Sequence, residues 1–293
     1  MSTTTHHAPP LSTGTLASGG FVVLWSTGYI AGAVAVQHAG PFTVLTLRFG
    51  FSALVFGLLA LLAGVPRPRW DCARHSAVVG LLTMAVQFGG VYAALKMGAS
   101  PGLSALVIGT MPLTVALMAF ALGERIQPRQ WTGLGIGLLG VLLVIGERLA
   151  HAHATLAACG ALVLGLIGIS AGTLYQKRHA AAIDLRTGLF IQNAVGSLAM
   201  LALAAPLEGL HTDLSAPFWM SLAWVVLVNS VGGFALLFML IRHGEAPKVA
   251  ALFYLVPPVT ALMSRVSMHE TLSAPEVAGF ALATLGVYLG SKS

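Results

Sequence analysis

The sequence predicts an all-α membrane protein: ten transmembrane helices in two inverted five-helix repeats around a central cavity. Three observations carry this reading. Of 293 residues, 57% are hydrophobic and only 8% charged, with a mean hydropathy of +0.87, far from the composition of a soluble domain. Apolar runs of about 20 residues, the length a helix needs to cross a bilayer, recur along the chain. Residues 101–144 align without a gap on residues 247–290 at a constant offset of 146, with 11 identities in 44 positions.

The runs fall near residues 17–36, 41–64, 76–96, 101–122, 130–146, 154–176, 185–205, 217–241, 247–267 and 275–291, separated by short polar or Pro/Gly-marked breaks. They are continuously apolar and rich in Leu and Ala, whereas barrel strands alternate over about ten residues, so helices are expected throughout. Residues 1–16 lack the basic start of a signal peptide and read as a disordered tail, with repeats at 17–148 and 149–293. His6 and His7 are too few to hold a metal. Cys72 falls in a loop and Cys159 in a helix, so no disulfide framework is indicated.

A formal charge of +6 raises the question of nucleic acid, but the distribution of the charges answers it. With both termini cytoplasmic, inner segments hold 11 of the Lys and Arg residues and outer segments three, Lys96, Arg148 and Arg265. This is the bias that orients a membrane protein. A lipid bilayer and a small-molecule substrate are the expected partners, and no nucleic acid. Trp70, Trp131 and Trp219 lie near helix ends, where an aromatic belt places them.

Within the repeat, Pro101 meets Pro247, Pro112 meets Pro258, Thr114 meets Thr260, Glu124 meets Glu270, Gly133 meets Gly279 and Gly140 meets Gly286. Five helices per half is odd, so the second copy enters the membrane from the opposite side. Pro112 lies 11 residues beyond Pro101, about 16 Å along the helix and close to the middle of the bilayer. Pro112, and Pro257 with Pro258, each remove a backbone hydrogen bond, freeing carbonyls at Ile108 and Tyr254. They are either inert kinks or a paired hinge beside a cavity. Gly133, Gly137 and Gly140, with Gly279, Gly286 and Gly290, supply small faces. Such faces pack the fifth segment on the tenth or join two chains. A monomer is expected, with a homodimer as the alternative.

All nine carboxylates and all ten histidines fall in loops or at helix ends. A transporter that carries a proton usually places a carboxylate in the membrane. Without one, a uniporter driven by its substrate's own gradient is the simpler reading. Arg48 is the clear charge inside a segment. It either binds helix-end carbonyls and snorkels outward or meets a substrate carboxylate.

The motif WSTGYIAG in the first segment, the Arg48-Phe49 pair in the second, and a proline with a terminal glutamate in the fourth and ninth (Pro112 and Glu124, Pro258 and Glu270) stand in a distinctive order. With ten helices and inverted halves, the chain resembles the EamA-type branch of the drug/metabolite transporter superfamily, over essentially everything after residue 16. The resemblance implies a multi-pass protein of the bacterial inner membrane that exports small metabolites, often amino acids, by alternating access. It also implies a cavity between segments 1, 3, 4, 6, 8 and 9, with an aromatic amino-acid exporter as the expected near relative.

On those segments the candidate substrate-binding residues are Trp25, Thr27, Tyr29, Gln87, Tyr92, Ser104, Ile108, Ser170, Thr173, Tyr175, Asn229, Phe253 and Tyr254. Trp and Tyr can cover an apolar side chain while amides and hydroxyls recognise an amino-acid backbone, so the set suits neutral or aromatic amino acids. Each is also a reasonable packing contact between helices. Gln192 and Asn193 in the seventh segment read as structural. A multidrug or other metabolite exporter is the alternative within the superfamily; a membrane enzyme or scaffold lies outside it. Against catalysis, the sequence offers no metal-spaced His/Asp/Glu cluster, nucleophile–base pair or phosphate loop, so neither cofactor nor metal is expected.

Overall fold

A computed structural model describes residues 13–125, 127–151, 153–180, 183–233, 236 and 253–291. Residues 1–12 of the tail, the start of the ninth segment with Pro247, and Arg242, Lys248 and Lys292 lie outside the described residues. Each of the ten expected segments contributes described helix. They are α1 (Thr13–His38), α2 (Pro41–Leu62), α3 (Trp70–Lys96), α4 (Pro101–Ala121), α5 (Pro128–Ala150), α6 (Leu156–His179), α7 (Leu185–Glu208), α8 (Ala216–Gly232), α9 (a 3₁₀ turn Phe253–Leu255 running into Val256–Met268) and α10 (Ala274–Ser291). The described residues hold no strand, only one isolated bridge between Ala39 and Thr212.

The helix starts follow local chemistry. Pro41, Pro101, Pro112, Pro128 and Pro257 stand in the first turn of their helical segments, where the missing N–H is not needed. Ser100, Thr155, Asp184 and Ser215 cap α4, α6, α7 and α8 with side-chain oxygens. At the start of α2, Glu208 from the end of α7 accepts hydrogen bonds from the Phe42 and Thr43 backbone N–H groups at 3.0 and 2.7 Å. A carboxylate there answers both the unpaired donors and the positive end of the helix dipole. Gly40 leaves it room, since a Cβ at that position would overlap the Glu208 carboxylate.

Three helix pairs related by the repeat pack on each other: α2 with α7, α4 with α9, and α5 with α10. Each pair runs antiparallel. A Cβ placed on Gly133 would fall 2.6 Å from the Gly286 carbonyl oxygen, and one on Gly140 would fall 2.6 Å from that of Gly279. These two contacts are exchanged by the 146-residue offset, as a pseudo-two-fold axis across the helices requires. Ser197 of α7 donates to the Thr46 carbonyl of α2, while Gly57, further along α2, abuts Phe190, earlier in α7. Equivalent helices running in opposite directions make the repeat inverted, and the matched glycines join α5 to α10 inside one chain.

The remaining pairs obey the same symmetry: α3 packs on α6, and α8 packs on α1. Both α3 and α8 widen into π-helix, at Leu81–Gln87 and Trp224–Gly232. The 143-residue shift that brings Gly89-Gly90 onto Gly232-Gly233 also carries Leu81 onto Trp224. Ser230 Oγ donates to the Val225 carbonyl five residues back, at 2.9 Å. Such widenings are frequent at functional sites.

Candidate functional site

Both broken helices bend just before their prolines. In α4 the regular helix ends at Gly109, Thr110 turns, and a second segment begins at Met111 with Pro112 in its first turn. Pro112 offers no N–H to the Ile108 carbonyl and its ring crowds that turn, so the helix breaks within the turn ahead of it. The Thr110 hydroxyl takes up the Val107 carbonyl at 2.7 Å. In α9 the 3₁₀ turn Phe253–Leu255 precedes Pro257 and Pro258. The two breaks meet: a Cβ on Gly109 would lie 2.7 Å from Pro257 Cγ. The lack of a side chain at Gly109 lets them cross. Tyr254 and Pro257 line a small gap there with Leu106 and Thr110.

On one side of this crossing a cavity of about 250 Å³ opens between the second half of α4, the start of α5, the end of α6 and Gly290 of α10. Pro112 and Thr173 sit among Val115, Ala116, Ala119 and Leu174, and Glu124, Arg125, Gln130 and Lys177 belong to the ends of the elements. On the other side the same helices are sealed. A Cβ on Gly102 would stand 3.1 Å from Ala261 and 3.5 Å from Phe280. Arg148 at the end of α5 forms a buried ion pair with Glu276 at the start of α10, and Glu270 lies 4.0 Å from the same guanidinium. Glu276 also accepts the Ser273 N–H at 2.9 Å, closing a capping box. Burial pushes the Glu270 carboxyl above its usual range, with the nearby Arg148 charge acting in the opposite direction.

The sequence-predicted residues divide among several places. Trp25 and Phe253 come together edge to face, with centroids 5.2 Å apart and Phe21 beside both. Asn229, in the π-helical turn of α8, donates to the Leu24 carbonyl at 2.6 Å and to Thr27 Oγ1 at 3.4 Å; Trp224 donates to the same hydroxyl at 2.9 Å. Tyr29 and Tyr92 gather around Arg48. Gln87 and Ile108 meet α6 at Gly165, whose absent side chain admits the Gln87 carbonyl. Thr173 reaches the Met111 sulfur at 3.7 Å and lines the larger cavity.

Others point to packing. Ser104 bonds back to the Ser100 carbonyl at 2.9 Å, and Ser170 is fully buried. Tyr175 lies at the end of α6, its hydroxyl 2.8 Å from His75 and its ring stacked on His179. Gln192 and Asn193 are buried in α7, with Asn193 bonded to the Leu189 carbonyl.

Arg48 does not bind helix-end carbonyls, the first of its two sequence readings; it enters an aromatic cluster. Only 7% exposed, it donates to the Tyr92 hydroxyl at 2.8 Å and lies 4.5 Å from the Phe88 ring centroid, with Phe49 and Tyr92 also within cation–π range. The helix-end carbonyls of α1 are taken instead by Lys96, which donates to Val36 at 2.6 Å. Sequence reading also missed the Arg148–Glu276 pair. The Ser273-x-x-Glu276 capping spacing and the antiparallel matching of the α5 and α10 glycines were the available signals.

The EamA-like transporter family model matches residues 13–146 and again 156–291. A probable amino-acid metabolite efflux pump of Salmonella typhimurium is 26% identical over 281 residues, covering 92% of this chain and 91% of the relative. The pump of the same description in Escherichia coli K12 is 25% identical over 92% of this chain and 91% of its own. An uncharacterized inner membrane transporter of Escherichia coli K12 is 26% identical over 91% of this chain and 89% of its own. A crystal structure that is 21% identical superposes with a TM-score of 0.66 over 96% of this chain and 98% of the other, a likeness of fold.

Proposed function

Because the chain belongs to the EamA-like transporter family, and is therefore a membrane transporter of the drug/metabolite superfamily rather than an enzyme, we propose that it exports neutral or aromatic amino acids by alternating access. One observation carries the reading: the cavity is open at one end of the bundle and sealed at the other, with broken helices crossing between. Twin bundles that rock about such a crossing expose a midplane site to each side in turn. The names of the two efflux pumps support an amino-acid cargo.

The excess of Lys and Arg places both termini, and hence the open mouth, on the cytoplasmic side of the inner membrane. The chain acts as a monomer, with domains at 17–148 and 149–293. Among the residues placed above, Trp25 and Phe253 cover the substrate side chain, Asn229 and Thr27 position its polar end, and Pro112, Pro257 and Pro258 form the hinge. Glu270 and Glu276, the carboxylates of the sealed end, both face the Arg148 guanidinium, so neither serves as a free proton carrier there. The protein therefore works as a uniporter.

Purified protein in liposomes tests this. Labelled phenylalanine is expected to enter without an imposed proton gradient and to be recovered chemically unchanged. Strict dependence on a proton gradient defeats uniport, and conversion of the label defeats transport itself.

A further inference from the structure

The open cavity has a charge pattern that its walls do not explain. Among its lining residues the acidic group is Glu124, and Arg178 occupies it at 2.6 Å. Arg125 and Lys177 line the same cavity and are exposed. Among the described residues neither has an ion-pair partner. An orienting bias accounts for cations at this end of the bundle. It does not require that two of them border one hole, one from the α4–α5 loop and one from the end of α6, with the neighbouring carboxylate already taken. Between them and Pro112 the walls are the apolar Val115, Ala116, Ala119 and Leu174, with the Gln130 amide and the Thr173 hydroxyl as further polar groups. At about 250 Å³ the space suits a small metabolite, below the roughly 300–1,000 Å³ usual for drug-sized ligands.

We propose that this mouth is a carboxylate-capture site: Lys177 and Arg125 hold the carboxylate of a small solute while its apolar group enters between Val115, Ala116 and Leu174. The proposal rests on the transport reading and narrows it to solutes with a carboxylate and an apolar side group. The amino group is dispensable at this step. Cationic amphiphiles are excluded by the same charges that recruit the anion. An anionic lipid headgroup offers the same chemistry to two cations near a membrane surface, and the experiment separates the two sources.

The full chain in phosphatidylcholine nanodiscs is titrated calorimetrically with 3-phenylpropionate, which has the carboxylate and lacks the amine, and with phenethylamine, which has the reverse. Wild-type protein is expected to bind the acid and not the amine. Arg125→Gln with Lys177→Gln weakens that binding at least about tenfold, whereas Lys177→Arg retains it, as exposed positions that do not support the fold allow. No binding of the acid to wild type, equal binding of the amine, or unchanged affinity in the double variant each overturns the proposal. Binding of phosphatidylglycerol vesicles to these residues with no response to the acid identifies a lipid site and also overturns it. Failure of phenylalanine transport with these binding results intact counts against the transport reading alone.

Discussion

Arg148 and Glu276 face each other across the far end of the antiparallel α5–α10 pair, each at most 5% exposed, with the carboxylate also held by the Ser273 N–H. The pair continues the line of glycine contacts from Gly133–Gly286 to Gly140–Gly279. It joins the last turn of α5 in one half to the first turn of α10 in the other.

Removing one partner strands the other in a place that cannot hydrate it. Arg148→Met is expected to destabilise the protein by about 3–5 kcal/mol, and Arg148→Met with Glu276→Leu to recover most of the loss. Thermal unfolding of the purified variants in detergent checks both; equal stability of the single and double variants contradicts the pairing.

Glu270 gives a pH signature. Its carboxyl titrates above the ordinary 4.5 because it is buried, so the folded chain holds that proton more tightly than the unfolded chain does. The corresponding stability is complete below the ordinary value and is lost as pH rises through the raised one. Glu270→Gln lacks this loss. Its melting temperature relative to wild type is expected to climb as pH rises above the ordinary carboxylate range, and a difference that stays constant with pH refutes the assignment.

The helix contact at Gly140 has no slack. A Cβ there meets the Ala283 backbone nitrogen at 2.4 Å, whereas one on Gly135 meets nothing within 4 Å. Gly140→Ala therefore overpacks the pair and costs about 1–3 kcal/mol. Gly135→Ala, gaining helix propensity at no steric cost, is neutral or stabilising by up to about 1 kcal/mol. Comparing the yields of folded protein and the melting temperatures of the two distinguishes a packed face from a chance run of glycines.

Asn229 ties the π-helical turn of α8 to Leu24 and Thr27 on α1. Asn229→Leu removes both bonds, at about 0.5–1.5 kcal/mol each. If they position substrate, initial uptake in liposomes falls about tenfold, the effect of about 1.4 kcal/mol on a barrier. A drop in melting temperature with uptake unchanged reduces Asn229 to a strut.

Much of the architecture was legible because periodicity survives in a single chain. The paired prolines and glycines at an offset of 146 announced inverted halves, and the helix breaks fell just ahead of Pro112 and Pro257. The candidate site was legible only as a pool of residue types. Trp25 found Phe253 and Asn229 found Thr27, while Tyr175 went to a histidine cluster at a helix end and Ser104 turned back on its own helix. Spacing identifies which side chains share a helix, but a helix's rotation and tilt determine which of them meet.

By itself the sequence determined that the chain lives in lipid, which stretches form its spans, and that its halves are upside-down copies, because these depend on hydropathy, proline geometry and a residue count. Tertiary structure alone decided that Arg48 enters an aromatic cage, that Arg148 closes on Glu276, and that one mouth opens while its counterpart is sealed. Identical halves can pack in either sense, and packed interfaces are bistable rather than continuously deformable. Small differences between the copies therefore choose the open end, and those differences take effect only once the helices are in contact.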